Sequence, residues 1–268
     1  MNEAQEAQKT EVGAGRYLYC IVNSGGGLSL GEIGIDDAKV YAVPHKDIAA
    51  VVHACQAKPY ETKNDEKARR WVFTHNYVID KATERFGTVL PLSFDAVVKG
   101  DDNTVKDALS KGYEKFKGEL ERVKGKAEYT VQIFCDQDKL TEKILSEDQE
   151  LRALKEKIER IPRRAAYLLQ RKLELKIKDI ISAGISKLAG EFGSKIKEHV
   201  EEMMVEETSQ VPQKYKNKKL IVTLSCLTSK DKAEGLGKVL EKINNREGYA
   251  VRFTGPWAPF SFVKLKEV

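Results

Sequence analysis

The chain has 268 residues, of which 41% are hydrophobic and 32% are charged, and its formal net charge is +5. This length suits one large domain or two ordinary ones, and the composition is typical of a soluble globular protein. No run approaches the ~18 apolar residues of a membrane-spanning helix, and the polar start lacks the apolar core of a signal peptide, so we expect neither a transmembrane helix nor a secretory signal.

Strands and helices alternate in the first half of the chain. Aromatic and β-branched residues in alternation predict a strand over 16–22, and 39–54 predicts a hairpin of two short strands. An apolar run over 87–94 contains a proline, which favours an edge strand or an extended segment. The residues Asp101, Asp102 and Asn103 can cap a helix that Gly125 would end.

A helical pattern over 65–85 places one histidine, His75, on its apolar side. This histidine could be a proton or metal site, or a core residue bonded to a backbone carbonyl of the adjoining strand. The second interpretation is favoured, because buried polar groups in proteins are usually hydrogen-bonded. The predicted inward face comprises Val72, His75, Ile79 and Ala82, with Trp71 and Val78 beside it.

The second half begins a new pattern. Alternation predicts a strand over 128–135, and further strands are predicted at 220–227 and 249–254, with a helix over 229–248 between them. A long helical region over about 147–207 separates the first strand from the second. The order resembles a ferredoxin-like α+β sandwich whose first crossover is expanded.

The helical region carries an apolar stripe on a charged surface. Pro162 divides it and suits the first turn of a new helix. A matching stripe in the preceding segment predicts an antiparallel helical hairpin or small coiled coil. The longer stripe comprises Leu173, Ile177, Ile181, Ile185, Leu188, Phe192, Ile196, Val200 and Met203, and the shorter one Leu151, Leu154, Ile158 and Ile161.

The predicted fold class is therefore α+β, with two small α+β domains, the second a modified ferredoxin-like sandwich with a coiled-coil insertion. The predicted boundaries are a disordered tail over 1–14, an N-terminal domain over 15–125, and a C-terminal domain over 126–268 with its helical insertion at about 147–207.

No pattern of catalytic or metal-binding residues stands out. The glycine-rich nucleotide-binding motifs, the zinc motifs and the nucleophile-elbow motif are all missing from the sequence. The four cysteines form no CxxC pair, which favours a reduced, cytoplasmic protein. We expect no enzyme, no cofactor and no metal. The basic cluster at 214–219 favours a solvated loop over a nucleic-acid site.

The segment "FTGPWAPFSFV" at 253–263 concentrates aromatic residues between two prolines, a composition that a regular strand or helix does not suit. Its aromatic side chains Trp257, Phe260 and Phe262 could close the core or be displayed to a partner. Because large aromatic residues are mostly buried, burial is the favoured expectation.

Three stretches, in the same order, resemble the gas vesicle GvpF/GvpL family: "HNYVIDKATERFGTVLPLSFDAVV" at 75–98, "AAYLLQRKLE" at 165–174 and the C-terminal "FTGPWAPFSFV". The last is the most specific. The sequence departs from the family pattern at four positions. Ser93 replaces a basic residue, Asp95 a frequent Gly, Ala258 a common Pro and Phe260 a common Tyr.

The resemblance implies a non-enzymatic accessory or structural protein of gas vesicle formation, at the vesicle surface or assembly site in the cytoplasm. Its implied partners are the apolar shell subunit GvpA and other accessory proteins, with no nucleic acid and no membrane. The alternative function is a nucleic-acid-binding ferredoxin-like module. The candidate partner-binding residues are Trp257, Phe260 and Phe262 in the C-terminal segment, and Leu173, Ile177 and Ile181 in the helical stripe.

Overall fold

A computed structural model describes residues 13–147, 149–160, 163–207, 210–263 and 265. Residues 1–12 of the tail that was predicted to be disordered lie outside these ranges. Pro162, which was expected to lie in the first turn of a helix, also lies outside them.

By its contacts the described chain divides into two compact units. The first contains the residues up to Ala127 together with those from Trp257 onward, and the second is Glu128–Pro256. The C-terminal segment from Trp257 therefore lies in the first unit, whereas the sequence had assigned it to the second domain.

The first unit is a six-stranded sheet with two long helices. Strands run in the order β2-β3-β4-β1-β5, and β6 pairs with β1 beyond the stretch that β5 covers. Its elements are β1 (Ala14–Val22), β2 (Ser29–Gly31), β3 (Val40–His45), β4 (Ile48–Gln56), α1 (Asp65–Phe86), β5 (Val89–Pro91), β6 (Val97–Lys99) and α2 (Asp102–Val123).

Strand β1 organises this sheet. It pairs antiparallel with β4 along its whole length, from Ala14 opposite Gln56 to Val22 opposite Ala49. Every residue from Tyr17 to Val22 is buried, and consecutive burial on a strand requires cover on both faces of the sheet. Helix α1 contacts β1 and β5, and α2 contacts β3 and β4.

Local capping fixes where both helices begin. The Asn64 side chain accepts a hydrogen bond from the Lys67 amide at the start of α1. The Asp101 carboxylate accepts from the Asn103 and Thr104 amides at the start of α2, as the sequence predicted.

The second unit contains a four-stranded sheet in the order β10-β7-β9-β8 and four helices. Strand β8 pairs antiparallel with β9, with Glu202 opposite Leu227 and Val205 opposite Leu224. Its elements are β7 (Lys126–Cys135), α3 (Gln137–Glu147), α4 (Gln149–Glu159), α5 (Arg163–Lys197), β8 (Glu202–Val205), β9 (Lys219–Ser229), α6 (Lys230–Asn244) and β10 (Tyr249–Trp257).

The helical region differs from its prediction at both ends. It begins earlier, with α3 directly after β7, and it ends at Lys197 instead of about residue 207. The sequence missed β8, because Val200 and Met203 continue the three-residue spacing of the helical stripe, and a four-residue strand is too short to show alternation.

Strand β10 also extends further than expected, through Pro256 to Trp257. The predicted strand ended at residue 254, and the expectation that the proline-containing segment after it does not suit a regular strand was wrong for residues 255–257. A proline is tolerated here because β10 lies at the edge of its sheet, where one side of the strand donates no ladder hydrogen bond.

Candidate partner-binding surface

Within the described ranges, the protein has neither a cluster of metal-binding side chains nor a helix that could span a membrane. No cluster of three or more His, Cys, Asp or Glu side chains could hold a metal ion there. None of the described helices is both long enough and apolar enough to cross a membrane.

The cysteines have the properties of core residues. Three of the four are buried and Cys55 is half-buried, and all four are free thiols. Burial raises the pKa of Cys226 to about 12. Since the thiolate is the nucleophilic form, this cysteine is unsuited to catalysis at neutral pH.

His75 belongs to a buried hydrogen-bond chain, as the sequence predicted. Its Nε2 lies 3.1 Å from the Leu92 carbonyl oxygen, next to β5, and its Nδ1 lies 2.9 Å from the Tyr17 hydroxyl. A carbonyl can only accept, so Nε2 carries the proton and Nδ1 accepts from Tyr17. The Tyr17 oxygen in turn accepts from the Asp95 amide. The prediction that the Val72 side chain faces inward beside His75 was wrong, because Val72 is 43% exposed.

Asp95 explains one departure from the family pattern. Its φ of 70° lies in the left-handed region, where glycine is favoured and aspartate is among the better-tolerated alternatives. Its carboxylate also accepts a hydrogen bond of 2.9 Å from the Tyr60 amide. The aspartate therefore has a structural role in a position suited to glycine.

His53 forms a second buried chain. The Tyr19 hydroxyl accepts from the Ile35 amide and lies 2.8 Å from His53 Nδ1, while His53 Nε2 lies 2.9 Å from the Tyr60 hydroxyl. Burial lowers the pKa of both His53 and His75 to about 4. Both side chains are therefore neutral at physiological pH and serve the packing of the first unit.

The outer side of α1 carries two aromatic residues that are exposed and do not belong to the buried core. Phe73 is 72% exposed and Tyr77, one turn later, is 40% exposed. Beside Tyr77, an open groove of about 430 Å³ is lined by Leu28 and other residues near β2. We call Leu28, Phe73 and Tyr77 the outer patch. The partly buried residues Leu30, Ile33 and Phe86 also line the groove.

The aromatic residues of the C-terminal segment divide into two groups. Phe262 is buried, and its carbonyl oxygen accepts a hydrogen bond of 2.8 Å from the Arg122 guanidinium. Trp257 is 49% exposed and Phe260 is 38% exposed, with the Phe260 ring 6.4 Å from that of His75. The expected burial is thus confirmed for Phe262 and is wrong for Trp257 and Phe260.

The helical stripe is partly covered. Leu173, Ile177 and Ile181 are all half-buried on α5, which packs against α3 and α4. The buried part of the stripe lies further along, at Phe192 and Ile196. Among the predicted partner residues, Trp257 and Phe260 are therefore the more accessible.

The outer patch was missed from the sequence, although a signal for it exists. At about 100° per residue, Phe73 lies some 200° round the helix from Trp71, away from the face that carries His75 and Val78. Two aromatic residues spaced by four on the polar side of an amphipathic helix are a reason to suspect a partner surface.

Comparison with known proteins gives consistent results. The family model described as "Gas vesicle synthesis protein GvpL/GvpF" matches residues 15–264. Gas vesicle protein L1 of Halobacterium salinarum is 33% identical over 260 residues, which cover 95% of this chain and 92% of that protein. Gas vesicle protein L of Haloferax mediterranei is 25% identical, covering 96% of this chain and 90% of that protein.

Solved structures show the same fold. The crystal structure of gas vesicle protein GvpF from Anabaena sp. PCC7120 superposes with a TM-score of 0.75 at 19% identity, covering 94% of this chain and 99% of that one. That of GvpF from Microcystis aeruginosa gives a TM-score of 0.68 at 18% identity, with the same coverage of both chains.

Proposed function

Because the chain belongs to the GvpL/GvpF family of gas vesicle synthesis proteins, and so has a role in gas vesicle formation, we propose that it binds the shell subunit GvpA during assembly. The contact would use the outer patch, with Trp257 and Phe260 as a second part. The observation that carries this proposal is the exposure of Phe73, at 72%, on a helix whose other face is fixed in the core.

The chemistry of such a partner fits this surface. The family resemblance implies a small and very apolar shell subunit, which needs an apolar contact to remain dispersed before it polymerises. Large aromatic side chains on rigid elements bind with a small loss of conformational entropy and often dominate interfaces. Burial of Phe73 alone would contribute about 2 kcal/mol at ~25 cal/mol per Å² of apolar surface.

The proposal also covers the fold of the second unit, its helical insertion, and the location and other partners of the protein. We infer a ferredoxin-like fold for the second unit, supported by its strand order, which in chain order is fourth-first-third-second. Helices α3, α4 and α5, which contact one another, would form the expanded crossover as a helical hairpin or small coiled coil. We further propose a cytoplasmic, non-catalytic protein that also contacts other vesicle accessory proteins.

Substitution of the outer patch tests the shell contact. Phe73→Ser with Tyr77→Ser should weaken GvpA binding at least ~30-fold, equivalent to about 2 kcal/mol. The melting temperature should fall only modestly, because Phe73 is 72% exposed and Tyr77 is 40% exposed. Binding would be measured by pull-down and then by titration with solubilised GvpA.

A matched control is Tyr167→Ser, which removes an aromatic side chain that is 61% exposed on α5. It should leave GvpA binding unchanged. Equal loss of binding in both variants, or undiminished binding by the double variant, would refute the proposed contact surface.

A further inference from the structure

Charge is distributed unevenly along α5 and the segment that follows it. Residues 163–178 contain six basic residues and one acidic residue, a net charge of +5, which equals the formal charge of the whole chain. Residues 198–207 contain five glutamates and no lysine or arginine, a net charge of −5. We call these the basic segment and the acidic segment.

The basic segment presents a mixed face to solvent. Tyr167 and Leu175 are 61% and 59% exposed, and Arg171 and Lys178 are exposed as well. Spacings of three and four place these side chains along one side of the helix. Glu174 lies within the same stretch and is also exposed. The face therefore offers two cations and two apolar groups, with a carboxylate among them.

The acidic segment leads from the end of α5 into the edge strand β8. Glu198, Glu202 and Glu207 are exposed, and Val205 is 66% exposed. Acidic side chains on an edge strand oppose the addition of another strand, which favours contact through side chains over sheet extension. Glu201 is already engaged, with its carboxylate 3.2 Å from the Lys232 ammonium.

The two segments cannot meet within one chain, because the remainder of α5, residues 179–197, holds them apart. From Arg171 to Glu198 the helix rises roughly 40 Å at ~1.5 Å per residue. Two copies with antiparallel α5 helices would place each basic segment opposite an acidic one. In such a two-fold arrangement both pairs of oppositely charged segments are in contact. No segment is left to bind a third copy, as in most homodimers.

We propose that the basic segment binds the acidic segment of a second copy of this chain, in an antiparallel dimer through the second unit. Tyr167 and Leu175 would meet the apolar side chain of Val205, which a phosphate backbone could not replace. Glu174 would repel a nucleic acid or an anionic membrane and so favours the protein partner. This contact is independent of the proposed shell contact on the first unit.

A charge swap tests the dimer. One variant carries Arg171→Glu and Lys178→Glu, which lowers the net charge of its basic segment from +5 to +1 and makes the exposed face that carries Tyr167 and Leu175 acidic. The other carries Glu198→Lys and Glu207→Lys, which changes the net charge of its acidic segment from −5 to −1. All substituted side chains are exposed, and circular dichroism would verify folding. Mass would be measured by analytical ultracentrifugation of the full chain at about 50 mM and about 500 mM salt.

The wild type should be a dimer at low salt and dissociate at high salt. Each variant alone should be a monomer, with dimerisation weakened at least ~100-fold, and a one-to-one mixture of the two should recover a heterodimer. A monomeric wild type at low salt, variants that dimerise alone, or a mixture that stays monomeric would each overturn the proposal. So would wild-type binding to poly(U) or anionic vesicles that Arg171→Glu with Lys178→Glu abolishes without changing the mass.

Discussion

Acidification from pH 7 to pH 4 should destabilise the first unit by about 3 kcal/mol for each of its two buried histidines. Burial lowers the pKa of His53 and of His75 to about 4, from an ordinary value of 6.5. The unfolded chain therefore takes up a proton at each histidine as the pH falls through 6.5, while the folded chain does not until about 4.

The sign of this effect follows from proton uptake. Between these two values the unfolded state binds more protons, so stability is complete above pH 6.5 and is lost progressively down to pH 4. For His75 the hydrogen bonds give the structural reason, because Nε2 donates to the Leu92 carbonyl and Nδ1 already accepts from the Tyr17 hydroxyl. A proton on that nitrogen would face the tyrosine proton.

Urea unfolding at several pH values checks this expectation, with His75→Gln as the comparison variant. The variant should be less stable than wild type by about 1–3 kcal/mol at pH 7, because a buried hydrogen-bond chain is interrupted. Its further loss between pH 6.5 and pH 4 should be smaller than that of the wild type by about 3 kcal/mol. Parallel curves for the two proteins would show that His75 is not the source of the pH dependence.

Phe262→Ala should destabilise the protein by about 3–5 kcal/mol, whereas Trp257→Ala should cost only about 1 kcal/mol. Phe262 is 6% exposed and its backbone carbonyl is held by Arg122, while Trp257 is 49% exposed. Truncation of a buried aromatic side chain leaves a cavity, and truncation of a half-exposed one leaves mostly solvent.

Thermal and urea unfolding of both variants measures this difference, and GvpA titration of the Trp257→Ala variant adds the functional part. If Trp257 belongs to the contact surface, its removal should weaken binding in a protein of nearly normal stability. Equal destabilisation by the two substitutions would mean that the exposed tryptophan packs as part of the core.

Much of the secondary structure could be predicted because it follows from local patterns. The strand that starts near Arg16, the capped helix after Asp101 and the core position of His75 all depend on alternation, capping residues or helical spacing. Strand β8 could not be predicted, because its four residues gain their ladder hydrogen bonds from β9, whose paired residues lie 19 to 25 positions away in sequence.

The candidate surface was harder to foresee, because exposure depends on what covers a side chain in three dimensions. Hydrophobicity alone ranks Trp257 and Phe262 together, yet only Phe262 is enclosed. In the same way, the α1 pattern identified the buried face that includes His75 and places Phe73 on the other side of the helix, but it does not show whether another element covers Phe73 there.

Hydrogen exchange of the full chain, with and without solubilised GvpA, tests the shell contact most directly. GvpA should protect amides in the middle of α1, around Phe73 and Tyr77, together with those of residues 28–33 and 257–262, and should leave α5 unchanged. Protection confined to α5, or no protection on the first unit while GvpA is bound, would contradict the proposed shell contact.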